Sequence, residues 1–132
     1  MTSRVVAVVP GTALVDTLRV MDSAGVRHLP VVENGRCVGL LAEVDVLRRL
    51  VAQGPLRPGP TARLTAGVVC RRPAPAVTAR GTRAGAARAM LTCGSDAVLV
   101  LDDGLVLGIV TVSDLAASLA APVAAGPGEE GH

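Results

Sequence analysis

The stretch His28–Val46, HLPVVENGRCVGLLAEVDV, decides the reading of this chain. Two β-rich runs, HLPVV and RCVGLL, flank Glu33-Asn34-Gly35, and a helix-forming segment opens at Ala42-Glu43-Val44-Asp45. Asn-Gly supplies the positive φ angles that a tight hairpin turn demands, so the two runs are predicted to pair antiparallel. The same grammar returns at Ala97–Leu115, AVLVLDDGLVLGIVTVSDL, offset by 69 residues without a gap. Arg19, Met21, Gly25, Val31, Gly35, Gly39 and Asp45 fall on Arg88, Met90, Gly94, Val100, Gly104, Gly108 and Asp114. The turn chemistry repeats with the identities, Asp102-Asp103-Gly104 replacing Glu33-Asn34-Gly35, so the chain is read as a duplication.

Working outward, each copy begins with a short strand, Val5–Val8 or near Ala76–Thr78. A helix follows, Ala13–Ala24 or Thr82–Cys93, then the hairpin, then a second helix, Glu43–Ala52 or Val112–Ala120. Leu14, Leu18 and Met21 recur at helical spacing and form an apolar stripe. Thr12 is read as an N-cap, and Gly25 and Gly94 as C-terminal stops. The fold class is therefore α+β, two β-α-β-β-α repeats. The boundaries are 1–53 for the first repeat, a Pro/Gly-rich linker at 54–66, 67–121 for the second, and a disordered tail at 122–132. Within TARLTAGVVC a short helix is expected, packed on the second repeat.

Composition narrows the function. There is no Phe, Tyr or Trp, so no aromatic platform exists on which bases would stack, and nucleic acid is disfavoured as a partner. All thirteen basic residues are Arg and are scattered, for a net charge of +2, which points to no particular partner. The three cysteines form no C-x-x-C pair, so neither a zinc site nor a disulfide framework is expected, and a reducing cytoplasm fits. VVAVVPG is too short for a secretory signal, and no apolar run reaches membrane-spanning length. No nucleophile–base pair, metal cluster or phosphate loop is visible, so no enzyme is expected.

Duplication, hairpin and the Gly-h-h-[Thr/Ser]-x-x-Asp step together resemble the cystathionine-β-synthase (CBS) domain pair, over roughly Val5–Leu119. That resemblance implies two repeats packed sheet against sheet about a pseudo-two-fold axis, with two clefts related by the axis. It also implies an adenosine-containing ligand of the AMP, ADP, ATP or S-adenosylmethionine class, no required cofactor, and a homodimer through the faces of the pair. A regulated protein is a further implied partner; no membrane is.

Thr111-Val112-Ser113-Asp114 has two compatible readings. It is a capping-box pattern, and a helix start is also a place for an anion, with an acid able to hold a ribose diol. By resemblance Asp114 holds the ribose while Thr111 and Ser113 contact ribose or phosphate. The backbone of Val6 and of Val26-Arg27-His28 lines the same cleft and recognises adenine. In the first copy Ala42 can neither cap nor donate a hydroxyl, and Glu43 adds negative charge, so the Asp45 cleft is expected to be the weaker. Phosphate partners are expected just ahead of the hairpin strand of each Asp's own repeat: Ser95 and Asp96 for Asp114, Arg27 for Asp45. On that placement the better ribose corner has the worse phosphate end, which favours S-adenosylmethionine or AMP over ATP. Arg27 and Asp96 are alternatively an ion pair between repeats. His28 is read either as a base-stacking ring or as a partly buried strand residue. Cys37 and Cys93 are expected core fillers; Cys70, beside Arg71 and Arg72, carries a minor redox reading. Arg48-Arg49 and Arg71-Arg72 are read as solvated faces. The rival reading is a structural or dimerisation module whose clefts hold no ligand.

Overall fold

A computed structural model of the chain describes residues 5–53 and 64–120, with the side chains of Gln53 and Ser118–Ala120 left out. The expected tail and most of the linker lie outside the described residues. Element order is α1 (Leu14–Ala24), β1 (His28–Glu33), β2 (Arg36–Ala42), α2 (Glu43–Gln53), α3 (Ala66–Val69), β3 (Ala76–Thr78), α4 (Arg83–Cys93), β4 (Ala97–Asp102), β5 (Leu105–Thr111) and α5 (Val112–Ala120).

The hairpins carry the duplication into three dimensions. Asn34 and Gly35 sit at φ 54° and 79°, Asp103 and Gly104 at 52° and 81°, the pair of left-handed residues a two-residue turn needs. β1 pairs antiparallel with β2 from His28↔Ala42 to Glu33↔Arg36, with a register shift between Val31 and Val32. β4 pairs with β5 from Ala97↔Thr111 to Asp102↔Leu105, with its shift between Val100 and Leu101. Every pair and both irregularities correspond at the 69-residue offset. Gly25 and Gly94 close α1 and α4 in the left-handed conformation (φ 69° and 63°), as their sequence positions predict.

The leading strands are unequal. β3 pairs parallel with β4 over three residues, whereas the predicted Val5–Val8 strand reduces to a single bridge, Val8↔Val31. Val8 uses both main-chain groups, on the Pro30 carbonyl (3.0 Å) and the Val32 amide (2.8 Å). The turn at Pro10-Gly11 ends the pairing immediately afterwards.

Two local expectations are corrected. Thr12 does not cap α1; Ala13 is the N-cap and makes no side-chain cap bond. Backbone replaces it: the Leu14 amide donates to the Leu64 carbonyl (3.3 Å), and the Ala66 and Gly67 amides reach the Thr12 and Pro10 carbonyls (2.8 and 2.9 Å). Those bonds hold α3 on the first repeat rather than the second, and Ala66 is fully buried in the first repeat's core.

That core gathers Leu14, Met21, Leu29, Val31, Leu41 and Val46, each at most 1 % exposed. Burying such a side chain stabilises by about 1.5–3 kcal/mol. The second repeat's core is smaller, because α4 presents Ala86 and Met90 where α1 presents Thr17 and Met21, and Arg83 where α1 has Leu14. Between the repeats Leu40 inserts against Ala97, Leu99 and Ile109, and the Cys37 amide donates to the Gly104 carbonyl (3.1 Å). β2 and β5, equivalent strands, thus contact each other. Mutual contact of equivalent elements is the signature of a two-fold relation. The architecture is α+β, two repeats face to face.

Candidate functional site

α5 begins where β5 ends, and the sequence makes that junction self-capping. The Thr111 amide donates to Asp114 Oδ2 (2.9 Å) and the Asp114 amide donates to Thr111 Oγ1 (3.1 Å), a complete reciprocal box. The Val112 amide donates to the Asp96 carbonyl (2.9 Å). Three of the four amides expected to await an anion are therefore engaged by the protein; that of Ser113 has no acceptor among the described residues. Asp114 keeps Oδ1 for another donor. The helix start is consequently a better hydroxyl site than phosphate site.

In front of it opens a cavity of about 380 Å³, within the range of small-molecule sites. One wall is Thr111, Ser113 and Asp114 over Ile109; the other is Val5, Val6 and Gly25–His28 of the first repeat. All seven residues expected to hold the nucleoside meet here, Asp114, Thr111, Ser113, Val6, Val26, Arg27 and His28, and Asp96 joins them. The amide and carbonyl of Val6 have no partner among the described residues, so that edge of the cleft presents open main-chain groups.

Asp45 lies apart, in a smaller cleft of about 220 Å³ with Leu40, Ala42, Arg48, Arg71, Ser95 and Asp96. Ala42 provides no cap, and the Asp45 carboxylate is already flanked by cations. Arg48 Nη1 is 3.5 Å from Oδ1 and Arg71 Nε is 3.9 Å from Oδ2. A ribose diol would compete with both guanidinium groups, a second obstacle to this cleft that Ala42 alone does not reveal.

Three placements differ from the sequence expectation. Arg27 lines the Asp114 cleft, as its backbone was expected to, but not the Asp45 cleft for which it was the expected phosphate partner; Ser95 lines only the Asp45 cleft, and Asp96 lines both. The reason is the two-fold packing, which puts each strand start opposite its counterpart's helix start. The better ribose corner therefore also has a cation: Arg27 is exposed and has no side-chain partner among the described residues.

Secondly, the pair across the axis is not Arg27–Asp96. His28, 8 % exposed, brings Nε2 to 2.8 Å from Asp96 Oδ1. Partial burial pushes the Asp96 carboxyl up, but the His28 hydrogen bond and charge, with help from Arg71, hold it below the usual carboxylate range. His28 is thereby tethered to Asp96 at the cleft wall. Thirdly, Cys93 is exposed rather than a core filler, since α4 turns that position outward. Cys37 is half-buried with its Sγ 3.4 Å from the Gly39 carbonyl, and burial pushes its thiol up. Cys70 is half-buried, its Sγ 3.7 Å from the Gly67 carbonyl.

Residues 1–52 match the family model described as CBS domain. A solved CBS-domain protein of unknown function from Thermoplasma acidophilum is 30 % identical, with a TM-score of 0.76 over 88 % of this chain and 64 % of that one. The chain has the fold of a CBS-domain pair, and its first repeat matches the CBS-domain model itself. A conserved protein of Pyrococcus horikoshii has the same fold at 23 % identity, with a TM-score of 0.77 over 96 % of this chain and 92 % of that one. A CBS-domain pair solved with 5′-methylthioadenosine and S-adenosyl-L-methionine matches at 20 % identity, TM-score 0.77, over 90 % of each chain. No curated protein matches this chain in sequence. Among the described residues there is no cluster of three or more His, Cys, Asp or Glu able to hold a metal, and no helix is long and apolar enough to cross a membrane.

Sequence reasoning missed Arg71 and the double role of Asp96. Asp96 lines both clefts, and Arg71, read as part of a solvated face, reaches into the second. An Arg in an irregular stretch gives no periodic signal; only the Leu40–Arg71 bridge, with amide–carbonyl distances of 3.1 and 2.8 Å, brings it there.

Proposed function

We propose that this CBS pair is a regulatory module that binds an adenosine-containing ligand of the AMP, ADP, ATP or S-adenosylmethionine class in the Asp114 cleft and performs no chemistry of its own. The observation that carries the reading is the convergence of an acid with one open carboxylate oxygen, a hydroxyl pair and open main-chain groups on one cavity of ligand size. Asp114 Oδ1 accepts from the ribose diol, Ser113 adds its hydroxyl and amide, and the Val6 edge and Val26-Arg27-His28 backbone take the base. Arg27 and Asp96 face the tail with opposite charges, which suits a short or zwitterionic tail better than a triphosphate. AMP and S-adenosylmethionine fit that balance. The solved pair holding 5′-methylthioadenosine and S-adenosyl-L-methionine supports this ligand class. Binding across both repeats fixes their relative orientation and so biases a homodimer interface or a regulated partner, by as much as the ligand's affinity differs between the two states.

A second reading, a structural or dimerisation module, is favoured in the Asp45 cleft by the flanking arginines. A thermal-shift panel of adenosine, AMP, ADP, ATP, NAD and S-adenosylmethionine separates the two. At a hundredfold excess over Kd a competent cleft gains about 2.7 kcal/mol. Asp114→Ala abolishes the shift and Asp45→Ala leaves most of it. No shift with any compound supports the structural module, and a shift lost only in Asp45→Ala reverses the ranking of the clefts.

A further inference from the structure

Asp96 stands between the two clefts. Its Oδ1 holds His28 on the Asp114 side, and its carbonyl takes the first amide of α5. On the Asp45 side it lines the smaller cleft together with Arg71 and Asp45. Arg71 is anchored by Nη1 on the Cys93 carbonyl (2.9 Å), while its Nε leans towards Asp45 at 3.9 Å, beyond hydrogen-bond range. One guanidinium, held on the Cys93 carbonyl, thus shares the smaller cleft with two carboxylates, and one of these, Asp96, also walls the larger cleft.

We propose that Arg71 couples the clefts as a positioning residue: when a diol occupies Asp45, Arg71 shifts to Asp96, screens the carboxylate facing the Asp114 cleft, and raises that cleft's affinity for a phosphate-bearing ligand. The inference rests on the nucleoside reading of the Asp114 cleft for its ligand arm, but the charge exchange is a property of the chain alone. Coupling is reciprocal, so AMP in the Asp114 cleft favours occupation of the Asp45 cleft by the same factor. Because Arg71 is partly exposed, the effect is that of a screened pair, roughly two- to fivefold in Kd.

The test uses the full chain and two probes, AMP and adenosine, with binding read from the ring resonances of His28; the chain's other histidine, His132, lies outside the described residues. Asp45→Asn imitates the occupied state by releasing Arg71. It is expected to tighten AMP roughly two- to fivefold at the Asp114 cleft without changing adenosine. Asp45→Asn in an Arg71→Gln background measures the direct field of the lost carboxylate, and there the gain shrinks to that field alone. An unchanged AMP-to-adenosine ratio in Asp45→Asn, or a gain equally large in the Arg71→Gln background, overturns the coupling. If neither probe perturbs His28, the nucleoside reading fails, and the exchange is read instead from the Asp96 carboxyl carbon during an acid titration. Its midpoint falls in Asp45→Asn, and the same substitution lowers it less in the Arg71→Gln background; a midpoint that Asp45→Asn moves equally with and without Arg71 overturns it.

Discussion

Thr111→Ala rewrites the second repeat's helix start into the first repeat's natural one, since Ala42 occupies the equivalent place. The substitution deletes the acceptor of the Asp114 amide (3.1 Å) and frees Asp114 from the geometry that also holds the Thr111 amide (2.9 Å). Loss of a side-chain cap costs about 0.5–2 kcal/mol. The site is half-buried, so water partly replaces the lost acceptor, and we expect about 1 kcal/mol. For a chain of this size that is roughly 4 °C in Tm. Urea unfolding of Thr111→Ala, Asp114→Asn and the double variant forms a cycle in which the two costs are strongly non-additive, because each residue serves the other. Thr111→Ser, which keeps the hydroxyl, recovers most of the stability. If the box also shapes the ribose corner, adenosine affinity falls in Thr111→Ala and returns in Thr111→Ser. Additive costs, or an Ala variant as stable as the parent, would refute the reciprocal cap; full affinity in Thr111→Ala would leave the cap intact but separate it from the pocket.

Acid provides a second check, through Asp96. Its folded pKa lies below the usual carboxylate value, so its contribution to stability is complete above the unfolded pKa and is lost as pH falls through the folded one. His28→Gln weakens that contribution, so wild type and variant converge in stability as the solution is acidified into that window; a gap that persists at full acid strength, seen by urea titration across pH, counts against it. Gly39→Ala is expected to be among the most damaging small changes. A Cβ there meets Cys70 Sγ at 2.6 Å and the Arg71 carbonyl at 2.8 Å, and overpacking of this kind costs about 1–3 kcal/mol. Cys70→Ala recovers part of the loss in calorimetry, not all, since the backbone oxygen remains; a neutral Gly39→Ala would mean that the Leu40–Arg71 bridge is not tight.

The sequence by itself determined the repeat unit. Asn34-Gly35 and Asp103-Gly104 demand left-handed turns, so both hairpins and the helices after them were legible from local chemistry, whereas the register shift in each hairpin was not read there. The capping role of Thr111 and Asp114 was legible for the same reason, being a contact over three residues. Less local features were not. Whether α3 joins the first repeat or the second depends on Leu64 and Ala66 finding the backbone of Pro10 to Leu14, across a long stretch of chain. The two-fold packing alone decided that Arg27 stays out of the Asp45 cleft, that Asp96 meets His28 rather than Arg27, and that Arg71 reaches Asp45. Local sequence specifies which groups a helix start or a turn will hold. Which repeat's wall those groups then face is set by the burial of Leu40 against Ala97, Leu99 and Ile109, a contact between halves that no periodicity records.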